Sequence, residues 1–275
     1  MTLRIALCNE VVRDLSFAAQ CDLAARLGYD GLEVAPFTLD AEAPHRLDAP
    51  RRAELRRAAA DAGIPITSLH WLLVAPAGLS ICTDDAALLD RTREVIRGLI
   101  VLAAELGARV LVHGSPAQRP VRDAEGAARA EETLRLAGEW SQDAGVTYCL
   151  EPLDAGQTSW ARTVQEAAGI VRRVASPGLA TMIDVSAAGN GEFEPVTDLL
   201  DRWLPTGLIR HVHFNDRNRR GPGQGDDRFA PIVAALNRHG YDGWCAVEPF
   251  DYVPDGPTAA ARAIGYLRGI EESLA

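Results

Sequence analysis

Short apolar runs alternate with longer amphipathic ones along the whole chain, and this alternation restricts the fold more than any other feature. The apolar runs at 4–8, 31–35, 65–70, 109–113, 147–151, 180–184, 211–214 and 244–248 have the length and composition of buried strands. Stretches rich in Ala, Leu, Arg and Glu separate them, at 14–27, 50–62, 84–106, 125–144, 163–174, 195–203, 228–239 and 257–274, and these read as helices. Gly28, Gly63, Gly107, Gly145 and Gly240 each follow a helical stretch just ahead of a strand, the stop signal of a short helix-to-strand loop. Eight strand–helix units without a composition break predict an α/β fold, a (β/α)₈ barrel forming one domain over residues 1–275. A doubly wound sheet is the rival, but it would not need eight regular repeats without a second domain. The Pro- and Gly-rich points at 76–78, 116–120, 221–225 and 254–257 fall after strands or before helices and read as loops.

Composition then narrows the partners. The 275 residues carry a formal net charge of -10, so the global field repels nucleic acid and anionic membrane surfaces. Cys8, Cys21, Cys82, Cys149 and Cys245 form no C-x-x-C pair and read as reduced core thiols. The first strand begins almost at the N-terminus, with no secretory pattern, and no apolar run reaches the roughly 18 residues of a membrane span. The expectation is a cytoplasmic protein acting on a small molecule, with no nucleic-acid or membrane partner. A homo-oligomer is compatible with these features.

In such a barrel the C-terminal strand ends build the working face. They are Asn9, Glu33, His70, His113, Glu151, Asp184, His213 and Glu248. Seven of these eight can bind a metal or move a proton, and a carboxylate there is costly unless solvated, paired or coordinated. His211 and His213 lie two apart on one strand and so share a face. Glu151, Asp184, His213 and Glu248 come from the fifth to the eighth strands and should converge at one side of the mouth. Three carboxylates and an imidazole make an oxygen-rich site suited to Mn²⁺ or Mg²⁺, then Co²⁺, with Zn²⁺ less favoured. The bland reading is a salt-bridge ring with Arg210, Arg219 or Arg220. Gly221-Pro222-Gly223-Gln224-Gly225 is no dinucleotide fingerprint. It reads instead as a flexible lid, with Arg217, Arg219 and Arg220 beside it to help close the site or to bind a phosphate.

Four motifs together give a resemblance across essentially the whole chain. Leu150-Glu151-Pro152-Leu153, Ile183-Asp184, His211-Val212-His213 with Asp216-Arg217-Asn218-Arg219, and Val247-Glu248-Pro249-Phe250 resemble the xylose-isomerase-like TIM-barrel superfamily. The similarity is greatest to its sugar phosphate isomerase/epimerase group, which includes the ketose 3-epimerases and hydroxypyruvate isomerases. The resemblance implies that Glu151, Asp184, His213 and Glu248 are metal ligands, that Glu151 and Glu248 are the acid/base pair, and that Arg219 meets a substrate oxygen. His70, His113, Glu33 and Trp71 are expected around the substrate, a polyhydroxy carbonyl compound. Two positions depart from the ketose epimerases: Gln157 stands where they usually carry glutamate, and Ala187 where they usually carry histidine. The implied activity is metal-dependent isomerisation or epimerisation. The rivals are a dehydratase or lyase on a keto-sugar or keto-cyclitol, an AP-endonuclease-like nuclease, and a non-catalytic sugar-binding protein.

Overall fold

The computed structural model describes residues 2–275. Eight parallel strands close in sequence order: β1 (Arg4–Cys8), β2 (Gly31–Val34), β3 (Ile66–Leu69), β4 (Val110–His113), β5 (Thr147–Leu150), β6 (Leu179–Asp184), β7 (Ile209–Phe214) and β8 (Trp244–Val247). Closure comes from β8 pairing with β1, in a register that sets Arg4 against Trp244 and Leu7 against Val247. Around the barrel run α1 (Phe17–Leu27), α2 (Ala49–Asp61), α3 (Ala86–Leu106), α4 (Ala124–Ala144), α5 (Val164–Val174), α6 (Val185–Gly191), α7 (Val196–Trp203), α8 (Phe229–Arg238) and α9 (Gly256–Leu274). The expected (β/α)₈ barrel is thus the observed fold.

Helix boundaries follow local chemistry. Side-chain oxygens of Ser16, Asp48, Asp85, Asp123, Thr163 and Asp255 accept first-turn N–H groups of α1, α2, α3, α4, α5 and α9. This explains why α1 begins at Phe17 and α3 at Ala86, slightly later than the amphipathic pattern suggests. Gly107 ends α3 with φ 85°, a left-handed cap that a side chain would strain. The short helix α6 is not among the helices expected from the sequence. Its Val-Ser-Ala-Ala-Gly-Asn-Gly run has no helical stripe, and its start is set by Asp184 Oδ1, which accepts the Ala187 N–H at 2.6 Å.

Strand parity sorts side chains into two layers. Leu111, Tyr148, Leu150, Ile183 and Val212 join the large core between barrel and helices. Val110, Val112, Cys149, Ala180 and Met182 form a separate buried cluster, the floor of the barrel interior. Successive strand residues face opposite ways, so the inner column on each strand continues at every second position. Above Cys149 that position is Glu151, and above Met182 it is Asp184. Among the described residues, no helix is long and apolar enough to cross a membrane. The five cysteines are free and buried.

Candidate functional site

The inner column delivers four side chains to one place. One ligand atom each from Glu151, Asp184, His213 and Glu248 lies within 4.8 Å of the others, and all four residues are buried. His213 is the pivot. Its Nε2 lies 2.8 Å from Glu33 Oε1, while its Nδ1 faces Glu248 Oε2 at 2.8 Å, Glu151 Oε1 at 3.5 Å and Asp184 Oδ2 at 3.9 Å. Despite this proximity Nδ1 makes no directed hydrogen bond, because the oxygens lie off its line. A buried nitrogen ringed by three carboxylates fits a cation better than a mutual hydrogen bond. Among the described residues no arginine pairs with Glu151, Asp184 or Glu248, so the salt-bridge ring does not form. Arg217 pairs with Asp227 and Arg220 with Asp251.

Surrounding groups fix the ligands in place. Glu33 is fully buried at the level of Ser68, whose hydroxyl donates to it, and His211 Nε2 lies 2.7 Å from its Oε2. Burial works to raise the Glu33 carboxyl, but His211 and His213 outweigh it and hold the group well below the usual carboxylate range. Asn215 donates to Asp184 Oδ2 at 2.8 Å and to the Glu248 carbonyl at 3.1 Å, and its own oxygen accepts the Ser186 N–H. His70 bridges Glu248 Oε1 at 3.0 Å and Glu10 Oε2 at 2.9 Å. Gly114 packs against Glu151, and a Cβ there would overlap Oε2.

The electrostatics show a site short of positive charge. Burial, then Glu151 and Glu248, push Asp184 up to about 7. Burial disfavours a charged His213, yet Glu248 and Glu33 override it and raise the imidazole well above its ordinary value. His70 is likewise raised to about 10, against burial, chiefly by Glu10. Burial alone would raise Glu248, but His213 and His70 hold it at about 2. Protons are retained wherever the acids crowd, and a divalent cation at the centre supplies the same charge.

A cavity of about 390 Å³ opens over the cluster. His70, Trp71, Arg219, Glu151, Asp184 and Glu248 all reach its wall. Glu33 and His113, expected around the substrate, are not among its lining residues. Glu33 lies beneath the cluster, against His213. His113 has the opposite parity to Val110 and Val112, so it faces the helical layer, where Nδ1 meets the Tyr148 hydroxyl at 2.8 Å. The 221–225 segment is not a lid. Gly221 and Pro222 are buried, and Gln224 donates to the Ala259 carbonyl of α9. Glu10 and Asn215 join the site without having been expected from the sequence. Asn215 follows His213 by two and could have been found by extending the inward face; Glu10 sits in a short helical turn after β1 and left no periodic signal.

Residues 21–270 match the family model of the xylose isomerase-like TIM barrel. The chain belongs to that family. Within this family it is 25% identical over 241 residues to a D-psicose 3-epimerase of Agrobacterium fabrum (strain C58 / ATCC 33970), covering 85% of this chain and 79% of the relative. It is also 25% identical over 204 residues to a ketose 3-epimerase of Arthrobacter globiformis, covering 70% and 68%. Among solved structures, the E. coli 3-keto-D-glucoside 4-epimerase superposes with a TM-score of 0.83 at 18% identity, covering 98% of this chain and 100% of that one. The D-psicose 3-epimerase of Clostridium cellulolyticum H10 superposes with a TM-score of 0.82 at 18% identity, covering 98% and 99%. These likenesses agree with the barrel fold.

Proposed function

We propose that this protein is a divalent-metal-dependent sugar epimerase or isomerase. The observation that carries the reading is the convergence of Glu151, Asp184, His213 and Glu248 within 4.8 Å beneath a sugar-sized cavity. Its curated relatives, a D-psicose 3-epimerase and a ketose 3-epimerase, support the same class. The four residues would hold the cation, and their oxygen-rich composition suits Mn²⁺ or Mg²⁺. When bound, a divalent cation polarises a carbonyl and its adjacent hydroxyl and stabilises the negative charge left by a departing α-proton, an effect of several kcal/mol.

The chain's own groups do the rest. Glu151 directly follows β5 and Glu248 directly follows β8, so the two carboxylates enter the cluster from separate strands and could address different faces of a carbon held between them. In the metal-free site His213 and His70 hold Glu248 ionised, the protonation state from which a carboxylate can accept a proton. Removal by one glutamate and return from the other inverts the carbon. Return by the same glutamate to the neighbouring carbon isomerises. Arg219 has no carboxylate partner among the described residues and lies on the cavity wall, where it can hold a substrate oxygen.

The test is NMR of Mn²⁺-loaded protein in D₂O with a panel of ketoses. Deuterium should enter at a carbon next to the carbonyl, with an epimer or isomer formed. A loaded, folded protein that exchanges no proton in any ketose contradicts the proposal.

A further inference from the structure

Several polar groups on the cavity wall are already engaged within the protein. Gln157 donates to Asp154 at 2.5 Å, and Arg217 is tied to Asp227. Asn190 donates to Ser186 Oγ at 3.5 Å and to the Arg217 carbonyl at 3.4 Å. Ser115 is different. It lines the cavity, yet its hydroxyl is buried and has no partner among the described residues. The usual local use of such a serine is also missing. Ser115 stands just ahead of the single helical turn Pro116–Gln118, and its side chain makes no capping bond there. The backbone around it is held by other groups. The Arg119 N–H donates to the Pro116 carbonyl at 3.1 Å, and the Gln118 carbonyl accepts the Ile81 N–H at 2.9 Å. The buried Arg119 guanidinium donates to the Gly114 carbonyl at 3.4 Å, and Gly114 itself packs against Glu151. Ser115 is therefore fixed one residue from a contact with the carboxylate cluster, on a segment that does not use its hydroxyl.

A buried hydroxyl without a partner destabilises the free protein, and a ligand that supplies the partner removes that cost. In the proposed reaction the cation takes the carbonyl and its adjacent hydroxyl, so the partner for Ser115 is a further oxygen of the same sugar. Arg219 can only donate, whereas a serine hydroxyl both donates and accepts and so meets a sugar hydroxyl in either sense. We infer that Ser115 is a specificity-determining residue that hydrogen-bonds one ketose hydroxyl not bound to the cation. This rests on the proposed epimerase or isomerase reading and adds to it the group that recognises the sugar beyond its reacting end.

The test sets two readouts of Ser115→Ala against each other. Thermal unfolding of the sugar-free protein should find the variant at least as stable as wild type, because no bond is lost and a buried polar group is removed. Calorimetric titration of the Mn²⁺-loaded protein with D-fructose, D-psicose and L-ribulose should find the tightest-binding ketose held about 5- to 20-fold more weakly by the variant. Deoxy analogues of that ketose, each lacking one hydroxyl, then locate the contact. One analogue should bind wild type and Ser115→Ala alike, while the others keep the loss. A variant destabilised without sugar, or the same loss with every analogue, marks a structural role and overturns the inference. Unchanged ketose affinity overturns it as well. Proton exchange in D₂O separates it from the functional reading. Binding that depends on Ser115 without exchange in any ketose sinks the epimerase reading alone. Exchange without dependence on Ser115 sinks the inference alone, and wild-type protein that binds no ketose sinks both.

Discussion

His113 and His213 are both fully buried strand-end histidines, yet they occupy different regions of the barrel. His213 stands inside, and the carboxylates of Glu248 and Glu33 raise its pKa well above the ordinary value. His113 stands outside, and burial together with Arg119 lowers it to about 3, so the ring stays neutral against Tyr148. The same residue type at the same height thus becomes a cation ligand candidate on one side of the sheet and a packing element on the other. Parity decides which. Val110 and Val112 use the inward positions of β4, and the next inward residue is Gly114, whose missing side chain makes room for Glu151.

Substitutions can break that contrast. Glu248→Gln keeps the shape but removes the base, and solvent-proton exchange should fall by about 10²–10⁴-fold in D₂O assays. Glu33→Gln leaves the cavity wall intact but loosens the His213 ring, so Mn²⁺ affinity measured by calorimetry should weaken by about 10–100-fold. An effect on substrate affinity alone, with Mn²⁺ affinity unchanged, would return Glu33 to the substrate. His113→Ala should leave exchange intact and lower the unfolding free energy by about 1–3 kcal/mol, through the orphaned Tyr148 hydroxyl. If His113→Ala instead cost as much exchange as Glu248→Gln, the inside–outside distinction would fail.

A pH titration sharpens the same contrast with a smaller effect. Asp184 holds a proton up to about 7 because burial and two neighbouring carboxylates disfavour its charge. A cation must displace that proton, so Mn²⁺ affinity should decline below pH 7 by up to about tenfold per unit and level off above it. In the metal-free protein the sign for stability is the reverse of a salt-bridged acid. The folded-state pKa is raised, so Asp184 stabilises the fold below the unfolded value and that contribution is lost as pH climbs toward 7. His113, lowered to about 3, should contribute no titration near neutrality.

The barrel was legible because eight repeats of alternating period leave few other folds, and the caps that set helix starts are Ser, Thr and Asp residues visible in the sequence. Glu151, Asp184, His213 and Glu248 could be proposed as a group for the same reason: each ends a recognisable strand. Their supporting groups were harder to read. A strand end alone does not reveal that His113 meets Tyr148 on the outer face or that Glu33 is held against His213. Glu10 enters through a single helical turn whose direction depends on packing against α9 and on its bond to His70. The expected lid at 221–225 failed because glycine content permits flexibility but says nothing of the apolar face of α9 on which the segment settles.

Glu151, Asp184, His213 and Glu248 are distant in sequence, and the proposed chemistry requires them to share one cation. Titration of the metal-stripped protein with Mn²⁺, followed by calorimetry and by electron paramagnetic resonance of the free ion, tests it most directly. Wild type should bind one ion per chain saturably, and Asp184→Ala and His213→Ala should lose that binding while remaining folded. Wild-type protein that binds no Mn²⁺, Mg²⁺ or Co²⁺, or variants that bind as tightly as wild type, would contradict it.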